Sequence, residues 1–444
     1  MADTIDTAQP LTEVNPEFPT PYLGRSVRIV GPVVNVEVSQ TPHPKNSRGE
    51  LGKALFNWYR NTISRDPLTR VSAPNHFADR RHFLPAVLTQ APKGKVNPRR
   101  SGVPDPAVMT RHIKAVARHM GADVVAVARA HPSFMYAGSR PANDAPSRDA
   151  YQNRSEDADQ PRGPEELVRK FPYVIVATTA WDYDKLQAHR HFIGDAAYHV
   201  SQMKAAVILK ALEGYVRELG YTALRGVVTP QAAAVASGVG ELGRNGLVIN
   251  KTWGARIHMP DPILTDLPLV PDEPVDIGVE DFCKVCRKCA ISCPTNSISF
   301  GDKVTFNGVE KYKINWLTCY KLRPYVHEQW GSCLTCATVC PFTKPNVWWR
   351  SLAVWALSAC PFAVRPLLVR ALKAIDDRFW GVVSQKRVRW LDYDSGVKPG
   401  ERVCTVAGCT AAHEGNGASD RVVGTIGYYL PLKENTNRFV KRDG

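Results

Sequence analysis

From Pro106 onward the chain alternates between two hydrophobic periods. Val108, His112, Val116 and Met120 recur at helical spacing, and Gly121 follows where a helix C-terminus favours glycine. Residues 124–127 are a short apolar run of strand length. A second helical pattern places Val200, Met203, Val207, Ala211, Tyr215 and Leu219 on one face and stops at Gly220. Between these helices, residues 173–179 predict another buried strand, and the alanine-rich residues 232–236 predict a helix. Residues 137–168 carry Pro, Asp, Ser and Arg throughout and predict a long surface loop. The alternation argues an α/β or α+β core over about 105–270.

The flanks differ. Residues 1–50 are rich in Pro, Thr and short polar side chains and predict an extended arm that wraps. Residues 51–100 mix short helical patterns with basic loops, so 1–104 is taken as an arm and basic region, 105–277 as the core, 278–350 as a cysteine module and 351–444 as a C-terminal segment. Residues 352–375 are apolar but contain Pro361, Arg365, Pro366, Arg370 and Lys373. That is too broken and too charged to span a bilayer, so a packed or amphipathic helix is expected. Contact with a membrane protein partner is left open and not indicated. The rings of Trp348, Trp349, Trp355, Phe379, Trp380 and Trp390 are expected to pack on the core, with the lining of a cofactor cavity as the sharper alternative.

Composition narrows the class. The chain has 444 residues, 44% hydrophobic and 22% charged, which is ordinary for a soluble globular enzyme of two or three domains. A net charge of +15 is not ordinary. It suits an acidic redox protein, nucleic acid or an anionic substrate, and charge alone does not choose among them. The first 24 residues hold no Lys or Arg and no long apolar run, so no standard signal peptide is expected. Asp79-Arg80-Arg81-His82-Phe83-Leu84 resembles a twin-arginine signal but lies far from the N-terminus, with Pro85 and Gln90 interrupting the apolar run. A charged surface turn and a cytoplasmic location are expected.

The chemistry lies in the cysteines. Cys283-x2-Cys286-x2-Cys289-x3-Cys293-Pro294 is the bacterial ferredoxin run, and Cys319-x13-Cys333-x2-Cys336-x3-Cys340-Pro341 ends in the same way. Iron in a cubane prefers soft thiolate, and short x2 loops let neighbouring thiolates reach adjacent irons. The fourth cysteine of such a run serves the other cluster. Cluster one is therefore assigned Cys283, Cys286, Cys289 and Cys340, and cluster two Cys293, Cys319, Cys333 and Cys336. Structural zinc uses C-x2-C pairs, though not two endings of this kind so close together. Disulfides would need an oxidising compartment, which nothing here suggests. Cys360, Cys404 and Cys409 fit neither set and are expected to be plain thiols.

Gly238-Val239-Gly240-Glu241-Leu242-Gly243 matches G-x-G-x-x-G but follows a predicted helix instead of a strand, which argues against a nucleotide loop. The glycines are expected to let backbone approach a bulky flat ligand. The wider segment Gly240-Glu241-Leu242-Gly243-Arg244-Asn245-Gly246-Leu247-Val248-Ile249, then Trp253-Gly254-Ala255-Arg256, then Leu264-Thr265-Asp266-Leu267-Pro268-Leu269, resembles the corrinoid-dependent reductive dehalogenases. So do Gly121-Ala122-Asp123, Arg217-Glu218-Leu219-Gly220-Tyr221 and Phe282-Cys283. The resemblance runs in order from about 108 to 350.

It implies an α+β fold: a nitroreductase-like core holding base-off cobalamin, with an inserted bacterial-ferredoxin-like module of two [4Fe–4S] clusters that relay electrons to cobalt. An organohalide would lose halide and gain a proton. By this analogy Gly238, Gly240 and Gly243 would sit near the corrinoid. The Asp-x-His-x-x-Gly cobalt-ligand motif of methyl-transferring proteins is absent: His189-Arg190-His191-Phe192-Ile193-Gly194 lacks the Asp, and His191 is expected at a helix start or on the surface.

The family's proton-donating Tyr, on the helix that ends at Leu-Gly-Tyr, corresponds to Gln202, with Tyr198 one turn earlier on the same face. The cation that would favour its phenolate corresponds to His258, with Arg256 two residues before it. The segment after Tyr221 is about three residues shorter than usual for the family, and a customary Asn has no match near Val228 and Thr229. Either a one-turn insertion brings Tyr198 into place with Arg256 or His258, or the acid differs and the reaction has diverged. With no flavin or plant-type ferredoxin reductase module after residue 350, a separate acidic donor such as ferredoxin or flavodoxin is expected. Two further readings compete: a tRNA-modifying enzyme resembling epoxyqueuosine reductase, which the wording of the motifs fits less well, and a non-catalytic electron carrier, which would not need the long region before Cys283. No nucleic-acid partner is expected.

Overall fold

Strand β3 (Tyr173–Ala180) is the spine of the molecule. The computed structural model describes residues 16–37, 40–53, 55–56, 88, 94–137, 163–187, 189, 192–321 and 333–381. Along one edge, β3 pairs antiparallel with the whole of β2 (Val124–Arg129), from Val124 opposite Thr178 to Arg129 opposite Tyr173. Its other edge is shared. The start pairs with β8 (Ile263–Thr265), which continues to β4 (Ala223–Leu224), and the end pairs with β7 (Ile257–His258). The sheet is antiparallel throughout.

Both faces of this sheet are covered, which is why its strands read as continuous apolar runs. Val125, Val127, Ile175 and Ala177 face helices α1 (Pro106–His119) and α3 (Phe192–Glu218). Ala126, Ala128, Val174 and Val176 face α4 (Pro230–Ala236), α2 (Pro164–Lys170) and the arm residues Leu23 and Val27. Successive strand side chains alternate between faces, so one run feeds two cores. Each fully buried Leu or Ile here is worth about 1.5–3 kcal/mol relative to exposure.

The helices stand where their periodicity places them, but their buried faces differ from expectation. In α1 the buried residues are Thr110, Ile113 and Ala117, whereas Val108 and His112 are exposed, with His112 Nε2 2.6 Å from Tyr215 Oη. In α3 the sheet takes Ala205, Ile208, Leu209, Leu212 and Val216, leaving Val200, Val207 and Ala211 exposed. This helix is apolar on two sides, and the larger Ile/Leu stripe wins the core. The expected loop over 137–168 ends early: α2 starts at Pro164, with Pro at its first turn and Glu165 and Glu166 suiting the helix N-terminus, and buries Leu167 and Val168.

Residues 19–37 of the expected arm are largely extended, but Pro42–Ser47 form a short helix within it. The arm's strand β1 (Arg28–Ile29) adds to β10 (Val309–Lys311), which pairs with β9 (Val304–Phe306) across an Asn307-Gly308 turn. Both turn residues have positive φ, the geometry that suits a two-residue hairpin. After the cysteine module come α9 (Trp348–Ala359) and α10 (Arg365–Trp380). They bury Val354, Leu357 and Val369 on the module, but Trp348, Trp355 and Phe379 are 77%, 63% and 74% exposed, so the expected burial of these rings is not what the fold does. Trp349 and Trp380 stack on each other at 5.3 Å. Among the described residues no helix is long and apolar enough to cross a membrane. Most of 51–100 and of the 137–168 loop, Asp79 to Leu84, His191, Trp390, Cys404 and Cys409 lie outside the described residues.

Candidate redox centre and adjoining aromatic site

The eight cysteines lie on short elements that turn sharply. Cys283 is on α5 (Val279–Val285), Cys286 caps it, Cys289 is on α6 (Lys288–Ile291), Cys319 on α7 (Trp316–Lys321) and Cys336 on α8 (Thr335–Thr338). Leu334 starts α8 in the left-handed region, φ 49°, and throws the chain from Cys333 towards Cys336. No disulfide joins the described cysteines.

The eight thiols act on one another electrostatically. Besides burial, Cys289 is repelled first by Cys283, next by Cys336, and then by Cys340 and Cys286, so it faces thiols of both assigned sets. Cys336 is repelled first by Cys319, Cys333 and Cys293, then by Cys340. Burial pushes the Cys283, Cys286, Cys289 and Cys336 thiols up, and Cys340 up to about 12, because thiolates in a dry interior lack compensating charge. Irons would supply that charge. Among the described residues, no three His, Cys, Asp or Glu converge as a single ion requires. Donors also point at sulfur: the Ser297 N–H lies 3.3 Å from Cys293 Sγ, and Thr335 Oγ1 3.2 Å from Cys333 Sγ.

Four cations with little or no exposure surround the first group: Arg244, Lys288, Lys344 and Arg350. Four thiolates on a cubane leave a net negative charge, so this donor set and its surroundings fit such a cluster. Arg350 donates through Nη2 to Phe342 O at 2.9 Å, and burial, then repulsion from Arg256, brings it down to about 10 while Cys340 opposes.

The glycine segment behaves differently from expectation. A Cβ on Gly238 would meet Glu273 O at 2.2 Å, and one on Gly240 would meet Ile249 O at 2.2 Å. A Cβ on Gly243 would meet Ile249 Cδ1 at 2.5 Å. At all three the close approach is to the chain's own residues: at Gly240 and Gly243 because β5 (Glu241–Leu242) folds tightly onto β6 (Val248–Ile249), and at Gly238 because residues 273–275 pass beside it. Glu241 is fully buried. Its Oε2 accepts from the N–H groups of Ile277 (2.7 Å) and Val279 (3.1 Å), which anchors the start of α5.

Burial outweighs those donors and raises the Glu241 carboxyl from 4.5 to about 7. The folded chain therefore holds this proton more tightly than the unfolded one. The resulting stability is complete below about pH 4.5 and is lost as pH rises through about 7. Glu241→Gln keeps an acceptor without the charge. It is expected to gain on the wild type by on the order of 3 kcal/mol between pH 5 and 8, read from denaturant midpoints. A constant difference across that range would contradict it.

The end of β3 leads into the aromatic site. Trp181 follows it directly, and β7 brings His258 opposite Thr179. Tyr198 on α3 meets Trp181 at 5.3 Å and His258 at 5.4 Å, both edge-on. Tyr198 and His258 are thus brought together. Arg256 and His258 are buried, not at a solvated edge. Arg256 donates through Nη1 to Trp181 O and lies 4.7 Å over Trp253; desolvation lowers its pKa against the pull of Asp182 and Asp123. Gln202 is buried and its Oε1 lies 2.9 Å from His199 Nδ1. Trp181 Nε1, Arg256 Nε and Arg350 Nε are buried with no hydrogen-bond partner among the described residues.

Trp181, Cys286, Cys340, Phe282 and Phe342 share one core cluster, with Tyr198 and Cys283 packed against it. The aromatic site therefore adjoins the first cysteine group. Trp181, Arg350 and the lysines were missed in the sequence. Trp181 carried a signal, as the polar-capable ring just past a buried strand, but the others come from segments far apart.

The family model for a 4Fe-4S dicluster domain matches residues 282–344. The chain is 32% identical over 284 residues to the tetrachloroethene reductive dehalogenase of Sulfurospirillum multivorans, covering 60% of this chain and 56% of that enzyme. It superposes on a solved reductive dehalogenase, described with a mechanism for B12-dependent dehalogenation, with a TM-score of 0.61 and 25% identity over 77% of this chain and 46% of that one. Similarity to the epoxyqueuosine reductase of Lactococcus garvieae is shorter, 26% over 155 residues, covering 34% of this chain and 43% of that enzyme. The chain spans about half the length of the reductive dehalogenases it matches.

Proposed function

Given that the chain belongs to the corrinoid-dependent reductive dehalogenase family, we propose that it removes halide from an organohalide, using two [4Fe–4S] clusters and a corrinoid beside Tyr198. One observation carries this reading. Trp181 shares one buried cluster with Cys286 and Cys340, Tyr198 and Cys283 pack against it, and His258 meets Tyr198, so a ligand at the aromatic site would adjoin the iron–sulfur centre.

Cys283, Cys286, Cys289 and Cys340 would hold the nearer cluster, and Cys293, Cys319, Cys333 and Cys336 the farther one. Trp181 Nε1, Arg256 Nε and Arg350 Nε offer unspent donors to the amide-rich rim of a corrinoid. Gly240 and Gly243 would contribute by shaping the β5–β6 turn and Gly238 by letting residues 273–275 pass, since their open sides are filled by the chain itself. A bound corrinoid would supply low-valent cobalt chemistry for carbon–halogen cleavage. Two electrons and one proton enter; the reduced carbon and halide leave. Tyr198 Oη delivers the proton, and His258, edge-on to it, and the nearby Arg256 favour its recovery. Trp181 and the surrounding rings exclude water. Electrons would come from an acidic partner suited to the +15 charge.

The test is anaerobic loading with iron, sulfide and cobalamin, then reduction with a panel of organohalides. Halide release is expected. Tight corrinoid binding without halide release from any of them would contradict the reaction. Salt-sensitive tRNA binding with reduction of epoxyqueuosine would establish the second reading, which rests on the charge and the shorter similarity.

A further inference from the structure

Three ions with almost no exposure meet behind the first cysteine group. Lys288 lies between Cys286 and Cys289 and is 2% exposed; Lys344 follows Cys340 by four residues and is 5% exposed. Both converge on Asp376 of α10, also 5% exposed: Lys344 Nζ is 3.0 Å from Oδ1, and Lys288 Nζ bonds Oδ2. Lys288 also meets Asp377 Oδ1 at 2.8 Å, and Asp377 is shared with Lys373 at 2.5 Å. Lys344 sits 4.8 Å over the Trp380 ring.

Stability does not explain this arrangement. Desolvating such ions costs several kcal/mol each, and apolar side chains of similar volume commonly do as well or better. Position gives the better account. The charges of Lys288 and Asp376 act on Cys286, and those of Lys344 and Asp376 act on Cys340. In a dry interior such fields are weakly screened. A fixed cation beside a cluster favours the reduced state, which carries one more negative charge, and a carboxylate opposes it. Net charge and nearby hydrogen bonds are among the levers that set a cluster's potential.

We infer that Asp376 is a positioning residue for electron transfer: it seats Lys288 and Lys344 against the first cluster and offsets their field, holding that cluster's reduction potential low. The inference rests on the two-cluster reading above. α10, some ninety residues away in sequence, thereby becomes part of the redox centre.

The experiment is a redox titration of the full, iron-loaded chain, following each cluster by electron paramagnetic resonance. Asp376→Asn leaves the two ammonium ions under-compensated and is expected to raise the first cluster's potential by about 59 mV, a tenfold change for one electron. Lys344→Gln removes a cation and is expected to move it the opposite way. The cluster assigned to Cys293, Cys319, Cys333 and Cys336 should move much less, which makes it the internal control. If Asp376→Asn does not load, the downward shift in Lys344→Gln decides. A merely structural network would lower stability without shifts of opposite sign. Unmoved potentials, or shifts in the same direction, in chains carrying eight irons would overturn the inference. A wild-type chain with four irons would overturn the two-cluster reading instead.

Discussion

Replacing Arg244 by alanine is expected to dismantle the cysteine module while leaving the antiparallel sheet in place. Arg244 is 1% exposed, the bulkiest of the fully buried side chains. Its Nε and Nη2 donate to Cys283 O at 3.1 and 2.9 Å, and Nη1 donates to Ser299 O at 2.8 Å and Gly301 O at 2.6 Å. The guanidinium lies 4.0 Å over the Tyr312 ring, and its backbone N–H points at Cys283 Sγ at 3.5 Å. One side chain thus ties the β5–β6 turn to α5 and to the chain entering β9.

Alanine would leave three carbonyl oxygens without this donor and open a void behind Cys283. Each hydrogen bond to a charged donor is worth about 1.5–3 kcal/mol, and buried acceptors left unpaired add a cost of their own. Lysine should recover only part of this, since it brings one ammonium group where a planar fork is needed. Denaturant unfolding and iron analysis check the point. A lower midpoint with loss of the first cluster is expected; an unchanged midpoint with full iron content would contradict it.

The second large effect concerns the proton. Tyr198→Phe keeps the ring contacts to Trp181 and His258 and removes only the hydroxyl. Turnover is expected to fall by about 10²–10⁴-fold, the usual worth of a positioned general acid. Iron and corrinoid content should not change. Loading and reduction measured on the same samples separate a chemical defect from a folding one. Wild-type turnover in the phenylalanine variant would show that the proton comes from elsewhere, and the same measurement on His258→Gln would then test the nearest titratable neighbour.

The iron–sulfur module was legible because the spacing of cysteines in two short runs is that of a 4Fe-4S dicluster domain, which matches residues 282–344. The main helices and strands were legible too, from periodicity and from Gly121 and Gly220 at helix ends. Which face of a helix goes inward was not. The long helix α3 offers Val200, Val207 and Ala211 on one side and Ile208, Leu209, Leu212 and Val216 on the other, and only the sheet decides between them. The aromatic tail misled in a similar way, because ring count says nothing about exposure. The G-x-G-x-x-G glycines were read as admitting a flat ligand, and the group that approaches each of them in the fold is protein. The charges around the first cysteine group had no local signal at all. Lys288, Lys344 and Asp376 become a unit only when α10 packs back on the module.

The central claim is that this chain places two cubanes beside a reducible corrinoid. Metal analysis with electron paramagnetic resonance on one anaerobically loaded sample tests it most directly. About eight irons and one cobalt per chain are predicted, with a cobalt signal that changes on reduction. Four irons or fewer, or no cobalt signal that responds to reductant, would contradict it.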